Sequence, residues 1–330
     1  MKYIMVWPYG WFDQYMYRDV IDNQMVEPFC LNHPHHSKLL NLLKRIHHSY
    51  KLNQIVELPF KEVWDKDLFR HIDNDTCVMF DTGALSMVST KFLTRIRKTN
   101  KHVKMVVVAM DSVHGASAHI RKAIPNLLGF QWDAILSYDK DDCQEYGFQF
   151  LGQGVYSKLD NVFPDEQKSD VYYVGRDKAG RNQEVISLYK KFKEAGIVTD
   201  FHLVSLKKEK NLSEHEGIKF SRKDIPYENV VSAVLSTNCI LEVASKGQFA
   251  QTARYYEAIC YNKKLLTNNF AVKDLPFYNE RYIKCFKTAD DIDMEWVKRR
   301  EPIDYHYNGE FSPVHVLEKL DRAFKSPNHN

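Results

Sequence analysis

The sequence predicts an α/β protein built from two Rossmann-like, doubly wound units. Short apolar runs alternate with stretches of helical period along most of the chain, the mark of strand–helix–strand repeats and a parallel sheet. Val103–Ala109 is almost wholly apolar and rich in valine apart from its lysine, as a central parallel strand covered on both faces must be. At 330 residues the chain exceeds what one typical domain core supports. The alternation breaks once, at Gly152–Lys168, a polar stretch without period that reads as a linker.

Each element follows from its own residues. Tyr3–Trp7 is a short apolar strand, and a Pro-Tyr-Gly turn leads from it into WFDQYMYRDV. Ser37–Tyr50 carries Leu39, Leu40, Leu43 and Ile46 on one helical stripe, flanked by Lys38, Lys44, Arg45 and Lys51. Such a helix is either an ordinary amphipathic surface helix or, across residues 37–51, a contact for anionic lipid headgroups. Strands are expected at Gln54–Leu58, Cys77–Phe80, Val103–Met110 and Ala134–Tyr138. Past the linker the pattern resumes with strand Val171–Val174, helix Asn182–Ala195, strands Asp200–Val204 and Ile218–Phe220, helix Tyr227–Ser236 and strand Cys239–Val243. After strand Tyr282–Phe286 and a helix near Asp290–Arg299, SPVHVLEKLDRAF is a closing amphipathic helix with Ser312 as its cap. The domains expected are 1–167 and 168–311, with a helix at 312–325 returning to the first, and ligands belong where the C-terminal edges of the two sheets meet.

Composition excludes several classes. No apolar run reaches the about 18 residues of a membrane span, and MKYIMVWPYG reads as the first strand rather than a signal peptide. Six cysteines without a CxxC pair fit reduced thiols in the cytosol better than a disulfide frame or a zinc site. A net charge of +3 with no long basic tract gives no reason to expect nucleic acid as a partner. Aromatic residues at 13% are numerous enough that some must line surfaces or clefts.

Two basic segments carry the chemistry. Gly247–Asn269, GQFAQTARYYEAICYNKKLLTNN, delivers the chain through a glycine-containing loop to a helix whose first turn holds Gln251, Thr252 and Arg254. Free N–H groups and the positive end of the helix dipole favour a phosphate there, and Arg254 adds a bidentate donor. Glu257 falls on the same helix face, placed to accept from a pair of sugar hydroxyls. The loop Gly175–Arg181 leaves the first strand of the second unit with glycines for close approach and Arg176, Lys178 and Arg181 as cations. It is neither GxGxxG nor a P-loop, so no dinucleotide or NTPase reading follows.

The ordered series YYVGRDKAGR, DFHLV, IPYENVVSAVLSTNCILEV and GQFAQTARYYEAICYNKKLLTNN resembles the C-terminal half of bacterial GT-B glycosyltransferases of capsule, exopolysaccharide and lipopolysaccharide synthesis. The resemblance covers Val171 to Asn269. It implies that the second unit binds a nucleotide-diphosphate sugar, with a UDP-sugar as the first expectation, and that the first unit binds a carbohydrate acceptor, plausibly lipid-linked. It implies further that Gly175, Arg176 and Lys178 lie near the donor phosphates or base, Gln251, Thr252 and Arg254 at the diphosphate, and Glu257 at the ribose. The glutamate pair eight apart of many retaining members is absent, since Glu242 and Glu257 are fifteen apart.

Neither a cofactor nor a metal is expected. Asp139–Asp141 and Asp291–Asp293 have DxD spacing, but both open helices, where aspartate is the ordinary cap. The histidines of NHPHH, with His47 and His48, share no cysteine or acidic partner at ligand spacing. A catalytic base is expected among Asp13, Asp81, Asp111 and His114, all near strand ends of the first unit. The reading is a cytoplasmic, metal-independent hexosyltransferase, peripheral on the inner face of the membrane. An epimerase of nucleotide sugars on the same fold, or a non-catalytic sugar-nucleotide-binding subunit, are the alternatives.

Overall fold

The structure, a computed structural model, describes residues 1–8, 12–32, 37–47, 49, 52, 62–110, 112–113, 118–152, 154–166, 168–176, 181–204, 217–244 and 251–325. The chain forms two compact units, Met1–Ser157 with Phe311–Asn330, and Lys158–Glu310. Each has one six-stranded sheet in which every pairing is parallel.

In the first unit the strands are β1 (Lys2–Trp7), β2 (Val26–Cys30), β3 (Thr76–Asp81), β4 (Lys104–Ala109), β5 (Ala134–Ser137) and β6 (Gln149–Phe150), in the order β2-β1-β3-β4-β5-β6. Met105–Ala109 of β4 is sealed from solvent, as its unbroken apolar run requires. The strand β2, VEPFC, was not expected, and it holds a proline, Pro28. It sits at the sheet edge, paired only with β1 through Met5↔Pro28, where a missing N–H costs no ladder bond. The expected strand Gln54–Leu58 lies outside the described residues.

The closing helix Val314–Lys325 belongs to the first unit. It buries Val316, Leu317 and Leu320, and the Tyr3 hydroxyl donates to Asp321 Oδ1 at 2.5 Å. The Lys319 ammonium donates to the Phe150 carbonyl, joining the helix to β6.

The second unit contains β7 (Ser169–Arg176), β8 (Thr199–Val204), β9 (Ile218–Ser221), β10 (Thr237–Glu242), β11 (Lys264–Thr267) and β12 (Ile283–Cys285), ordered β12-β11-β10-β7-β8-β9. This is the Rossmann order 3-2-1-4-5-6 read from the other edge, with its reversal between β7 and β10. Helices Arg181–Glu194, Tyr227–Ser236, Ala253–Cys260 and Met294–Lys298 cover the sheet. Two lysines in KKLLT fasten it: Lys263 donates to the carbonyls of Leu235 (2.7 Å) and Thr237 (2.9 Å) at a helix end, and the buried Lys264 donates to Trp296 O at 2.7 Å.

The expected linker is not a free strap. Val155, Tyr156, Ser157 and Leu159 are buried, and their polar groups are paired as burial demands. Tyr156 N donates to Phe311 O at 2.8 Å, Ser157 Oγ to Met16 O at 2.9 Å, and Leu159 N to the Tyr261 hydroxyl at 2.8 Å. The apolar residues hidden in GVYSKL pull this stretch into the two cores. The division therefore falls at Ser157/Lys158 rather than at 167/168.

Candidate functional site

Where strand order reverses in an open parallel sheet, the loops leaving the two central strands part to opposite faces and open a crevice at the strand C-termini. In the second unit those strands are β7, ending at Arg176, and β10, ending at Glu242. The helix that follows β10, Ala253–Cys260, begins at the same edge.

Thr252 caps this helix, its hydroxyl accepting from Arg254 N at 3.2 Å and donating to the Glu242 carboxylate. The other Glu242 oxygen accepts from Thr267 Oγ1, in register one strand away on β11. Thr267 Oγ1 in turn accepts from Asn269 N at 2.9 Å. One buried carboxylate thus holds the start of the helix to the end of β11. Its surroundings push the Glu242 pKa up, burial being the main cause and the two threonine donors opposing it. Asn268 extends the brace, accepting from Ala244 N at 2.6 Å and donating to Glu184 Oε1 at 3.1 Å.

Arg254 donates to Glu257 Oε1 at 2.5 Å, and Tyr227 OH donates to the same oxygen at 2.9 Å. Glu257 is fully buried, and no hydrogen bond reaches its Oε2. Arg254 keeps 13% of its side chain exposed, while Glu257 keeps none. Burial, partly offset by Arg254 and Tyr227, pushes the Glu257 pKa up from 4.5 to about 7. The sequence placed Glu257 on the face of Arg254, and it is there, but the 3.6-residue turn that aligns the two also turns the carboxylate into the protein. In this structure it holds the Arg254 guanidinium.

The other residues expected at a donor lie elsewhere on this unit. Gln251 Oε1 accepts from the Tyr256 hydroxyl. Arg176 Nη2 donates to both Asp224 oxygens, at 2.9 and 3.0 Å, while the side chain remains half exposed, and the Arg176 carbonyl accepts from Arg181. Gly175 has a packing reason: a Cβ there would stand 2.3 Å from the hydroxyl of Tyr173, a core residue. Lys178 lies outside the described residues.

In the first unit Asp81 ends β3, beside the reversal between β1 and β3, and caps the helix Thr82–Leu85 by accepting from Ala84 N at 2.6 Å. Asp13 falls in the short helix Phe12–Met16 after β1. Asp111 and His114 lie outside the described residues. The sequence reading passed over Asp142, which is buried and accepts from Val113 N at 2.7 Å, bracing the loop after β4. Its signal was the third acid in DKDD, one more than a cap needs. Glu242, Thr267, Asn268 and Tyr227 were passed over as well; a polar TNN run directly after an apolar strand marks the same edge.

Three of the four DxD carboxylates accept backbone N–H groups at helix starts. Asp139 accepts from Asp141 N and Asp142 N at 2.9 and 3.1 Å, Asp291 from Thr288 N at 2.8 Å, and Asp293 from Trp296 N at 2.9 Å. Among the described residues no group of three His, Cys, Asp or Glu side chains gathers as a metal site. His47 accepts from Trp64 Nε1 at 2.6 Å, while residues 33–36 and His48 lie outside the described residues. No helix among those described is long and apolar enough to cross a membrane.

A charged-group titration follows from this geometry. An acid whose folded pKa exceeds its unfolded value stabilises the fold fully below about pH 4.5, and that contribution is lost as pH rises through about 7. For Glu257 the loss amounts to about 3 kcal/mol, and Glu242 shifts in the same direction. Glu257→Gln keeps an acceptor for Tyr227 and removes the titration, so urea unfolding at pH 5 and pH 8 should show a shallower decline than in the parent. Equal declines would mean that Glu257 does not titrate in this window.

The two sheets and their crossovers define the GT-B architecture, and comparison with solved structures agrees. The chain is similar in fold to an alpha-glucosyltransferase solved with UDP and a 13-mer DNA (TM-score 0.60, 12% identity, 98% of this chain and 100% of that one). It is similar also to the lipopolysaccharide outer core galactosyltransferase WaaB in its apo form (TM-score 0.50, 13% identity, 99% of each chain). A UDP-forming alpha,alpha-trehalose-phosphate synthase from Burkholderia xenovorans aligns at TM-score 0.50 and 9% identity, over 99% of this chain and 92% of that one. At these identities the likeness is one of fold. No protein-family description matches the sequence, and no curated protein matches it.

Proposed function

We propose that this chain is a glycosyltransferase that takes a hexose from a nucleotide-diphosphate sugar, UDP-linked in the first instance, and passes it to a carbohydrate acceptor. The observation that carries the reading is the placement of Thr252 and Arg254 at the start of a helix leaving the β7/β10 reversal, with Arg176 at the end of β7. A helix N-terminus and a guanidinium held at fixed orientation stabilise the charge of a departing nucleoside diphosphate, which is the need a metal otherwise meets. The acceptor hydroxyl attacks the anomeric carbon, the bond to the diphosphate breaks, and the hydroxyl proton passes to a base of the first unit, drawn from Asp13, Asp81, Asp111 and His114. Gln251, Gly175 and Lys178 complete the donor side. The fold neighbours support the donor class; one of them was solved with UDP and DNA, so a nucleic-acid acceptor is included among the tests. A lipid-linked glycan of a bacterial surface polysaccharide is the acceptor proposed, which puts the enzyme at the cytoplasmic face of a membrane.

The test is a panel of UDP-, GDP- and ADP-sugars against the purified protein. One of them at about a hundredfold over its Kd should stabilise the fold by about 2.7 kcal/mol, and transfer to glycan but not to DNA should persist in a chelator. A panel without any shift would overturn the donor assignment. Loss of transfer in chelator, restored by manganese, would return Asp139, Asp141, Asp291 and Asp293 to consideration as ligands, and isomerised donor without transfer would identify an epimerase.

A further inference from the structure

The helix Lys38–His47 is packed with its polar side inward. Its apolar residues Leu39, Leu42, Leu43 and Ile46 stand at positions i, i+3, i+4 and i+7, so they form one stripe. That stripe faces solvent: Leu39 is 65% exposed and Leu42 55%, with Leu43 and Ile46 exposed beside them. The opposite side carries Lys44, His47 and the half-buried Leu40, which the sequence had set on the apolar stripe in the place that Leu42 takes. Lys44 is buried, and His47 is pinned by the Trp64 indole at 2.6 Å, with the two rings edge to face at 5.7 Å. A surface helix ordinarily buries its leucines and leaves its lysine in water, because each leucine exposed gives up the burial that orders the helix. Here the anchoring through Trp64 fixes the reverse.

Charge along this stretch of the chain is of one sign. Between Glu27 and Glu57 the sequence has no aspartate or glutamate, while it has Lys38, Lys44, Arg45 and Lys51. Lys38 and Arg45 are exposed on the flank of the leucine stripe. A nucleic acid would match the cations and leave the leucines unused, and a second copy of the same surface would set like charges against one another. An apolar stripe bordered by the exposed cations Lys38 and Arg45 matches the boundary between acyl chains and anionic headgroups.

We infer that the outward face of the helix Lys38–His47 docks on an anionic lipid bilayer, with Leu39, Leu42, Leu43 and Ile46 entering the acyl boundary and Lys38 and Arg45 meeting the headgroups. This surface is independent of the donor chemistry, so it stands or falls separately from the proposed function.

The experiment is flotation of the full chain with vesicles of phosphatidylcholine alone or with one-third phosphatidylglycerol. Binding is expected to the mixed vesicles, at least about tenfold weaker to phosphatidylcholine alone, and weakened by high salt. The double variant Leu39→Asp, Leu42→Asp should lose at least about tenfold in vesicle affinity with its melting temperature kept, since both positions are exposed. Arg45→Glu should weaken binding to the anionic vesicles only. Donor-induced stabilisation should be the same in all three proteins. Failure of the parent to float with anionic vesicles, or equal binding by the double variant, would overturn the proposal. So would a dimer that the double variant dissolves, or binding of a DNA duplex in place of vesicles.

Discussion

Arg254→Ala is expected to weaken nucleotide-sugar binding by about 1.5–3 kcal/mol, the range for a hydrogen bond to a charged group, and to destabilise the second unit at the same time. The two effects have separate causes. On the ligand side, the proposed diphosphate would lose a guanidinium. Within the protein, the fully buried Glu257 would lose its cation, and breaking a buried ion pair from one side costs about 3–5 kcal/mol. Because burial already pushes the Glu257 pKa to about 7, the orphaned carboxyl can protonate, so the stability cost should be small near pH 5 and large at pH 8. Affinity should therefore be measured by titration calorimetry near pH 6, where the variant is folded. Arg254→Lys keeps a positive charge but not the planar fork, and should fall between parent and alanine in both measurements. Unchanged donor affinity in folded Arg254→Ala would leave Arg254 a structural partner of Glu257, with the diphosphate bound elsewhere.

Removing Ser312–Asn330 should have the larger effect on the fold. The helix Val314–Lys325 buries Val316, Leu317 and Leu320 in the first unit. At about 1.5–3 kcal/mol for each fully buried aliphatic side chain, these alone are worth about 5–9 kcal/mol, comparable with the about 5–15 kcal/mol that holds a domain together. Tyr3 loses its acceptor Asp321, and β6 loses the Lys319 contact to Phe150. The truncated chain should lose amide protection across β1 to β6 while the second unit keeps its donor-induced shift, so turnover should fall far more than donor affinity. Full turnover with amide protection retained in β1 and β6 would contradict this account.

The sequence was most informative where a local rule decides the outcome. Val103–Ala109 could be only a doubly covered strand, and it is the buried β4. Asp139 and Asp293 lie at helix starts, where capping needs only a neighbouring N–H, and capping is what they do. Thr252 and Arg254 begin the helix after β10 because the spacing of a first turn is local.

Other features needed the assembled chain. That β7 and β10 are neighbours across a reversal, that Glu242 meets both Thr252 and Thr267, and that Asp142 braces the loop at Val113 are contacts between residues far apart in sequence. Periodicity shows that a helix has an apolar face but not which way it turns, so the sequence left both directions open for Lys38–His47, and the Trp64–His47 contact fixed its rotation. The same holds for Glu257, whose place on the helix face of Arg254 was legible from spacing. Its burial depended on Tyr227 and the sheet closing over it. Sequence fixes what a side chain can do through bonds and turns of its own segment; desolvation and long-range partners, which set charge and orientation, exist only after the segments have packed.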